Sequence, residues 1–238
     1  MSTKTVYLIG FIIALSYVLF NIDDVLWDIF YLIKRRSLQT EKVSLELLDE
    51  ATPKLLALII AAWHEDQVLE SVILHLITSL HYPRSMYHIF LGVYPNDDKT
   101  ISIARKLERE YDHVHVVINK KPGPTSKADN LNNIISYIKD FEMERGWYFH
   151  SMTIHDSEDV VHPYELKMTH YLIDRHDVLQ FPVFPIQRMP SLKNISKGMT
   201  SGTYADEFAE NHYRLMRMRS DLSAVVPSAG TGFVITHR

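Results

Sequence analysis

The chain has 238 residues, of which 46% are hydrophobic and 23% are charged, with 8 glycines and 10 prolines. This is an ordinary globular composition, and the length favours one large domain or one domain with an appendage. A formal net charge of −4, without a basic stripe that carries interleaved aromatic residues, excludes a typical nucleic-acid binder. The sequence contains no cysteine, which excludes disulfides and thiolate metal sites.

The N-terminal segment predicts attachment to a membrane. Thr5–Asn21 carries no charge, and its length lies at the short end of the roughly 17–25 residues that span a bilayer. The alternatives are a buried core helix and a secretory signal peptide, although no small-x-small cleavage site follows. Asp23–Ile33 predicts an amphipathic helix in the membrane interface, and Lys34–Arg36 adds a basic cluster. Because basic residues favour the cytoplasmic side, everything after Arg36 is expected in the cytoplasm.

The pattern divides the chain into three parts. Residues 1–36 are predicted to hold the transmembrane and interfacial helices, residues 37–52 a polar connector, and residues 53–238 the globular domain. Predicted strands are Lys54–Ala62, Tyr87–Tyr94, Val114–Ile118, Trp147–Ile154 and Val178–Val183, alternating with predicted helices Asp66–Leu80, Lys99–Glu110, Ser126–Glu144, a helix beginning at Pro163, and Thr203–Arg219. The polar stretch Ile186–Ser201 is predicted to be a loop. Such alternation indicates an α/β fold whose mainly parallel sheet has helices on both faces.

An acidic loop follows the strand Trp147–Ile154. Two of its side chains, Asp156 and Glu158, can reach one hard divalent cation whose other ligands are diphosphate oxygens. Sheets of this class bind ligands at the carboxyl ends of their strands, which is where this loop is predicted to lie. The alternative is an acidic turn that does no more than cap the following helix.

Two further predicted strand ends carry acidic residues. Glu65 follows the first strand, and Asp97 and Asp98 follow the second. In a parallel sheet these carboxylates would share one crevice with the acidic loop, and the crevice would repel phosphates unless a cation intervened. Lys127, at the start of a helix whose amides favour anions, is a candidate phosphate neighbour. For each group alone, the alternative is a solvated loop or a helix cap.

Other chemical motifs are weak or missing. The 13 histidines form no His-Glu-x-x-His pattern, so His150 and His155 are interpreted as a strand and a loop residue. Lys121–Lys127 lacks the first glycine of a Walker loop. The turn Gly230–Gly232 lacks the surrounding dinucleotide fingerprint.

Taken together, the motifs resemble those of processive, membrane-bound family 2 glycosyltransferases. Lys127–Asn132 is similar to the family's Gly-Lys-x-x-x-Leu-Asn motif. His155–Asp159, with Pro163 after it, is similar to the Asp-Ala-Glu-Asp form of the Asp-x-Asp motif. Ala62–Glu65 and the acidic pair after the second strand complete the resemblance, which covers nearly the whole chain.

This resemblance implies a GT-A-like fold and an inverting transfer of sugar from a nucleotide donor. It implies that Trp63, Glu65 and Asp97 or Asp98 contact the nucleotide. It also implies that Asp156 and Glu158 hold the diphosphate through Mg²⁺ or Mn²⁺. The implied donor-site residues are Trp63, Glu65, Asp97, Asp98, Lys127, Asp156, Gly230, Thr231 and Gly232, the last three near the donor sugar and acceptor.

The resemblance also implies partners and a location. The partners are a nucleotide-sugar donor, with uridine as the family-level nucleotide, a glycan acceptor, the bacterial inner membrane, and an outer-membrane or periplasmic component of a glycan export system. The enzyme domain would lie in the cytoplasm. The alternatives are a non-catalytic membrane receptor or scaffold that retains the fold and, more remotely, a metal-dependent phosphohydrolase.

The sequence departs from the family's pattern at one motif. The family's catalytic base is the Asp of a Thr-Glu-Asp motif, which is expected beyond Arg238. Glu210, the nearest acidic residue in a predicted helix, precedes the Gly230–Gly232 turn and is in the wrong place for that base. We therefore expect the sequence to be a piece of a longer enzyme, or else a truncated product that binds donor without transferring sugar.

Overall fold

A computed structural model describes residues 3–36, 43–186 and 195–237, and for residues 195–199 it describes the backbone alone. The chain divides into two compact units. The helical unit combines Met1–Glu41 with Pro182–Pro227, and the sheet unit combines Lys42–Phe181 with Ser228–Arg238.

The described residues of the two units form the following helices and strands, and the helices that fall within residues 1–41 and 182–227 belong to the helical unit. The helices are α1 Thr3–Phe20, α2 Ile22–Lys34, α3 Leu45–Glu50, α4 Leu69–Ser79, α5 Asp98–Glu110, α6 Lys127–Arg145, α7 Glu165–Leu172, α8 Ile195–Ala209 and α9 Met216–Asp221, with a π-helical segment Glu210–Leu215 between the last two. The strands are β1 Leu56–Ala61, β2 Tyr87–Val93, β3 Val114–Ile118, β4 Ser151–Asp156, β5 Val178–Gln180 and β6 Phe233–Thr236.

In the described part of the chain, these strands form one mixed six-stranded sheet in the order β3-β2-β1-β4-β6-β5. β1 pairs in parallel with β2 and β4, and β2 pairs in parallel with β3. β6 runs antiparallel to its neighbours β4 and β5. The predicted α/β class with a mainly parallel sheet is confirmed.

Two cores explain why the central strands are apolar on both faces. Leu56, Leu58 and Ile60 of β1 belong to a core that includes residues of α4 and α5. Ala57 and Ile59 belong to a second core that includes residues of α6. Because helices cover both faces, β1 carries a continuous apolar run instead of an alternating one.

The start of α6 is fixed by its cap and by a close approach to the sheet. The Ser126 hydroxyl accepts a hydrogen bond from the Asp129 amide at 3.1 Å, which caps the helix. A Cβ at Gly92 of β2 would lie 2.5 Å from both the side-chain oxygen of Asn130 and Cδ1 of Ile134, so only glycine permits this approach. Asn130 also donates to the Gly92 carbonyl at 3.1 Å. These contacts hold the first turn of α6, which carries Lys127, against the sheet.

Several element ends differ from the sequence prediction. α4 begins at Leu69, three residues after its predicted start, and α7 begins at Glu165 instead of Pro163. β4 begins at Ser151 instead of Trp147, because its partner β1 begins at Leu56, which pairs with Ser151. Trp147 and Tyr148 precede the strand and are 41% and 46% exposed. At its other end, β4 extends to Asp156, two residues beyond the predicted end at Ile154.

Three larger errors concern the last third of the chain. The predicted loop Ile186–Ser201 is helical from Ile195 onward, and residues 187–194 lie outside the described residues. The predicted strand Val178–Val183 is shorter, ending at Gln180. β6 was not predicted at all, although its four residues, Phe-Val-Ile-Thr, have the β-branched and aromatic composition of a strand.

The helical unit contains, among the described residues, one helical stretch long and apolar enough to cross a membrane, Thr3–Lys34. Asn21 separates α1 from α2 within it. The apolar side chains of α1 are exposed along its length, as a lipid-facing helix requires.

In α2, polar side chains contact the C-terminal helices of the same unit. Arg214 forms ion pairs with Asp28 of α2 and with Glu210. The guanidinium of Arg219 lies 4.9 Å from the centre of the Trp27 ring. The opposite side of α2 presents exposed apolar residues, which are Val25, Leu26, Ile29, Phe30 and Ile33. This division is the one predicted for an interfacial helix.

Two stacked histidines in the sheet unit make its stability depend on pH. His88 and His115, on adjacent strands, stack with ring centres 5.0 Å apart, and Nδ1 of His88 lies 2.7 Å from Nε2 of His115. Burial lowers the pKa of His88 to about 4, helped by the charges of His115, His113 and Arg145. Burial, with Arg145 and His113, also lowers the pKa of His115 to about 4. The folded state therefore binds fewer protons than the unfolded state between pH 6.5 and pH 4.

Stability from these histidines is fully present above pH 6.5 and is lost as the pH falls toward 4. We expect one such histidine to contribute a loss of about 2 kcal/mol in the free energy of unfolding between pH 7 and pH 5. Urea unfolding at both values, with His88→Gln and with His75→Gln on α4 as the matched control, measures this. An identical pH dependence in wild type and His88→Gln would contradict the assignment.

Candidate functional site

The ends of three parallel strands bring the predicted residues to one edge of the sheet. In the register of the sheet, Ala61 at the end of β1 pairs with Gly92 of β2 and with Asp156 of β4. The loops that follow carry Trp63 and Glu65 after β1, Asp97 and Asp98 after β2, and Glu158 after β4. The predicted convergence of these acidic loops at one edge is therefore found in the fold.

In the acidic loop, the Asp159 carboxylate is partly buried, at 25% exposure, and the carboxylates of Asp156 and Glu158 are more exposed. Asp159 accepts hydrogen bonds from the Asp156 amide at 2.8 Å and from the Thr231 hydroxyl. The Asp156 side chain is 41% exposed, and Glu158 is exposed. Burial acts to raise the pKa of Asp159, but hydrogen bonds from His155, Thr231 and the Asp156 amide outweigh it and lower that pKa. The partly buried Asp159 thus shapes the loop, and the more exposed Asp156 and Glu158 remain available for a ligand.

His155 lies behind this loop, buried on β4. Its Nε2 lies 2.8 Å from a Glu165 carboxylate oxygen, and its Nδ1 lies 3.7 Å from Asp159. Burial acts to lower the pKa of His155, but the charge of Glu165 and the hydrogen bonds of both acids raise it to about 9. The sequence interpretation of His155 as a loop residue is wrong, because it lies within the strand. Its partner Glu165 was missed, since a pair ten residues apart across a strand and a helix leaves no periodic signal.

Lys127 joins three parts of the site. Its ammonium pairs with a carboxylate oxygen of Asp156 and donates to the Gly230 carbonyl at 2.8 Å. Gly230 and Gly232 adopt positive φ angles of 81° and 58°, which favour glycine. The start of α6, the end of β4 and the Gly230–Gly232 turn are therefore in mutual contact. A role for Lys127 beside a phosphate stays a prediction.

The loops that follow β1 and β2 contribute a packed aromatic part of the site. Trp63 contacts Tyr94 edge-on, with ring centres 4.9 Å apart, and lies against Gly123, where a Cβ would come within 2.4 Å of its ring. Asn96 exchanges two hydrogen bonds of 2.7 Å with the backbone of Gly123. His64 has a positive φ of 58°, a strained backbone conformation of the kind that concentrates at functional sites. Asn96 was not among the predicted residues.

The two aspartates after β2 differ in environment. The Asp97 side chain is 3% exposed and accepts hydrogen bonds from the His64 amide at 2.7 Å and the Thr100 amide at 3.3 Å. Burial acts to raise the pKa of Asp97, but these hydrogen bonds lower it. Asp98 is exposed on the first turn of α5. Both remain candidate nucleotide contacts, with Asp98 the accessible one.

The acidic loop offers a small donor set for a metal. In residues 3–36, 43–186 and 195–237 there is no group of three or more His, Asp or Glu side chains arranged to hold an ion. The carboxylates of Asp156 and Glu158 are hard oxygen donors, which Mg²⁺ and Mn²⁺ accept. Mg²⁺ is commonly held by one or two carboxylates together with phosphate oxygens, so these residues fit a metal that arrives with a diphosphate.

Comparison with known proteins identifies the class. A family model described as "Glycosyltransferase like family 2" matches residues 53–238, and the chain belongs to this family. The chain is 36% identical over 234 residues to bacteriophage adsorption protein B of Escherichia coli K12 and to bacteriophage N4 adsorption protein B of E. coli O157:H7. The match covers 95% of this chain but spans only 30% of the length of those relatives. The resemblance inferred from the sequence is confirmed.

Solved glycosyltransferase structures are similar at low identity. S. aureus TarS 1-349 is 16% identical with a TM-score of 0.45, over 58% of this chain and 38% of that chain. The mannosyltransferase PcManGT from Pyrobaculum calidifontis, in complex with GDP-Man and Mn²⁺, is 15% identical with a TM-score of 0.47, over 78% and 49% of the two chains.

Proposed function

We propose that the sheet unit binds a nucleotide-diphosphate sugar at the carboxyl edge of its sheet and transfers the sugar to a glycan acceptor. The observation that carries the proposal is the pair of accessible carboxylates, Asp156 and Glu158, at the end of β4. The loops that carry Trp63 and Asp98 begin at the same edge of the sheet. Membership of family 2 supports this use of the edge.

Each wall of the site receives a role in this proposal. Trp63, Glu65 and Asp98, with Asp97 behind them, contact the base and ribose. Asp156 and Glu158 would hold Mg²⁺ or Mn²⁺, and the metal would supply positive charge for the departing nucleoside diphosphate. Gly230–Gly232 borders the donor sugar and acceptor, because this turn contacts the acidic loop through Lys127 and Thr231.

Lys127 has two successive partners in this scheme. Without donor, its ammonium neutralises Asp156. When a diphosphate is bound, the Lys127 ammonium can exchange its ion pair with Asp156 for an ion pair with a phosphate oxygen. Both partners are anions, which the N-terminus of α6 favours. Lys127 therefore keeps Asp156 in place in the free protein without blocking it permanently.

We further propose that the chain acts at the bacterial inner membrane, held by α1, with the sheet unit in the cytoplasm. The apolar helix Thr3–Lys34 supports attachment, and the basic cluster Lys34–Arg36 supports this orientation. The proposed domain boundaries remain residues 1–36, 37–52 and 53–238. An outer-membrane or periplasmic component of a glycan export system is the proposed partner.

A second candidate is a non-catalytic role in a membrane complex. The names of the two E. coli relatives, both bacteriophage adsorption proteins, favour it. A scaffold would retain the fold without binding donor. Nucleotide binding therefore separates the two functions.

Isothermal titration calorimetry of the full chain in detergent tests the proposal. We expect UDP to bind with Mn²⁺ present and to bind at least tenfold more weakly with EDTA, since two carboxylates alone repel the diphosphate. GDP is the matched competitor. If neither nucleotide binds with Mn²⁺ or Mg²⁺, the scaffold function is favoured and the transferase function is refuted.

A further inference from the structure

Four polar side chains form a connected, mostly buried chain behind the acidic loop. It runs from Glu165 on α7 through His155 on β4 to Asp159 in the loop and ends at Thr231. Glu165 and His155 are 2.8 Å apart, and His155 and Asp159 are 3.7 Å apart. The Thr231 hydroxyl donates to the same Asp159 oxygen that accepts the Asp156 amide. One carboxylate oxygen of Asp159 therefore connects the end of β4, the acidic loop and the Gly230–Gly232 turn.

Three of these groups have little access to solvent. Relative exposure is 7% for Glu165, 3% for His155 and 8% for Thr231, whereas the Asp159 side chain is 25% exposed. A buried polar group that loses its partner loses more than the net value of one hydrogen bond, because water does not replace the partner. The conformation of the loop is therefore determined from behind, by residues that need not touch the ligand.

We propose that His155, Glu165, Asp159 and Thr231 are positioning residues that hold Asp156 and Glu158 toward the diphosphate. The inference rests on the proposed function, because it gives these four residues a role only if the loop binds donor. The Asp159 carboxylate is engaged by the Thr231 hydroxyl and the Asp156 amide, whereas the Asp156 and Glu158 side chains are more exposed, so Thr231 acts on the loop through Asp159. Thr231, which the resemblance places beside the donor sugar, thus acts without contacting it.

A matched pair of variants tests this role. Thr231→Val keeps the shape and removes the hydroxyl, whereas Thr231→Ser keeps the hydroxyl. With Thr231→Val we expect the Kd for UDP with Mn²⁺ to rise about three- to tenfold, the range that one net hydrogen bond gives. Thr231→Ser should restore most of that affinity. The Kd for uridine, measured by NMR titration, should not change, because uridine lacks the phosphates that the loop holds.

The double variant with Asp159→Asn separates positioning from direct contact. If Thr231 acts through Asp159, Thr231→Val should have little further effect in that background. A full effect there, equal UDP affinity of the Val and Ser variants, or a parallel loss of uridine affinity would each refute the inference. If Asp159→Asn does not fold, the Val and Ser pair still tests whether the Thr231 hydroxyl contributes to binding of the diphosphate. Loss of all nucleotide binding in the wild type would instead refute the proposed function.

Discussion

Asp156→Asn is expected to abolish metal-dependent binding of UDP to this protein. The substitution keeps the size of the side chain but removes the charge that a divalent cation requires, and it leaves Glu158 as the one proposed carboxylate ligand. It also removes the partner of Lys127. We expect the Kd for UDP with Mn²⁺ to rise by at least about 100-fold, the range seen when one partner of a close charge pair is truncated. Calorimetry on the full chain measures this.

The control for this experiment is Asp140→Asn, an exposed aspartate on α6, the helix that begins with Lys127. It should leave UDP affinity unchanged. Thermal unfolding should change little in Asp156→Asn, because the pair it breaks is half-exposed and such pairs contribute little stability. If Asp156→Asn binds UDP like the wild type, the metal assignment is wrong.

The second large effect concerns α1. The full chain should remain in the membrane pellet after alkaline carbonate extraction, and Ile9→Arg with Ile13→Arg should move it to the supernatant. Each arginine near the centre of a spanning helix costs about 2.5–3.5 kcal/mol for insertion, so the pair opposes membrane insertion strongly. Both positions are exposed side chains on α1, so the changes leave the sheet unit intact. Ile9→Leu with Ile13→Leu is the control.

The orientation of the chain is measured separately. In spheroplasts, protease added outside should leave the sheet unit uncut, and it should cut after the membrane is opened. This follows from the basic cluster Lys34–Arg36 at the proposed cytoplasmic end. Cleavage in intact spheroplasts would reverse the topology. Wild-type protein in the carbonate supernatant would refute attachment by α1.

Elements whose signal is local were predictable. β3 was predicted with its observed ends, because four β-branched residues among five, bounded by polar residues, suffice to define a strand. The helical period of α4 and the N-cap Ser126 of α6 likewise lie within a few residues of sequence. The acidic loop could be assigned to a strand end because a strand pattern directly precedes it.

Features that depend on pairing between distant residues were not predictable. β6 lies between β4 and β5, although in sequence it follows β5 by more than fifty residues. Its four residues carry no signal that selects those neighbours. The contact between Lys127 and Asp156 was not predictable for the same reason, because it joins residues 29 positions apart.

From the order of residues alone we predicted the α/β class, the apolar N-terminal helix, the family resemblance and the edge of the sheet where acidic residues gather. How far each acid of the loop is exposed depends on contacts that the fold creates. Asp156, Glu158 and Asp159 are chemically alike and adjacent in sequence. Asp159 is the least exposed of the three, at 25%, because Thr231 and His155, brought to it by β6 and β4, are partners for its carboxylate. Burial of an acid requires such partners, and a sequence read in order does not reveal which distant residues supply them.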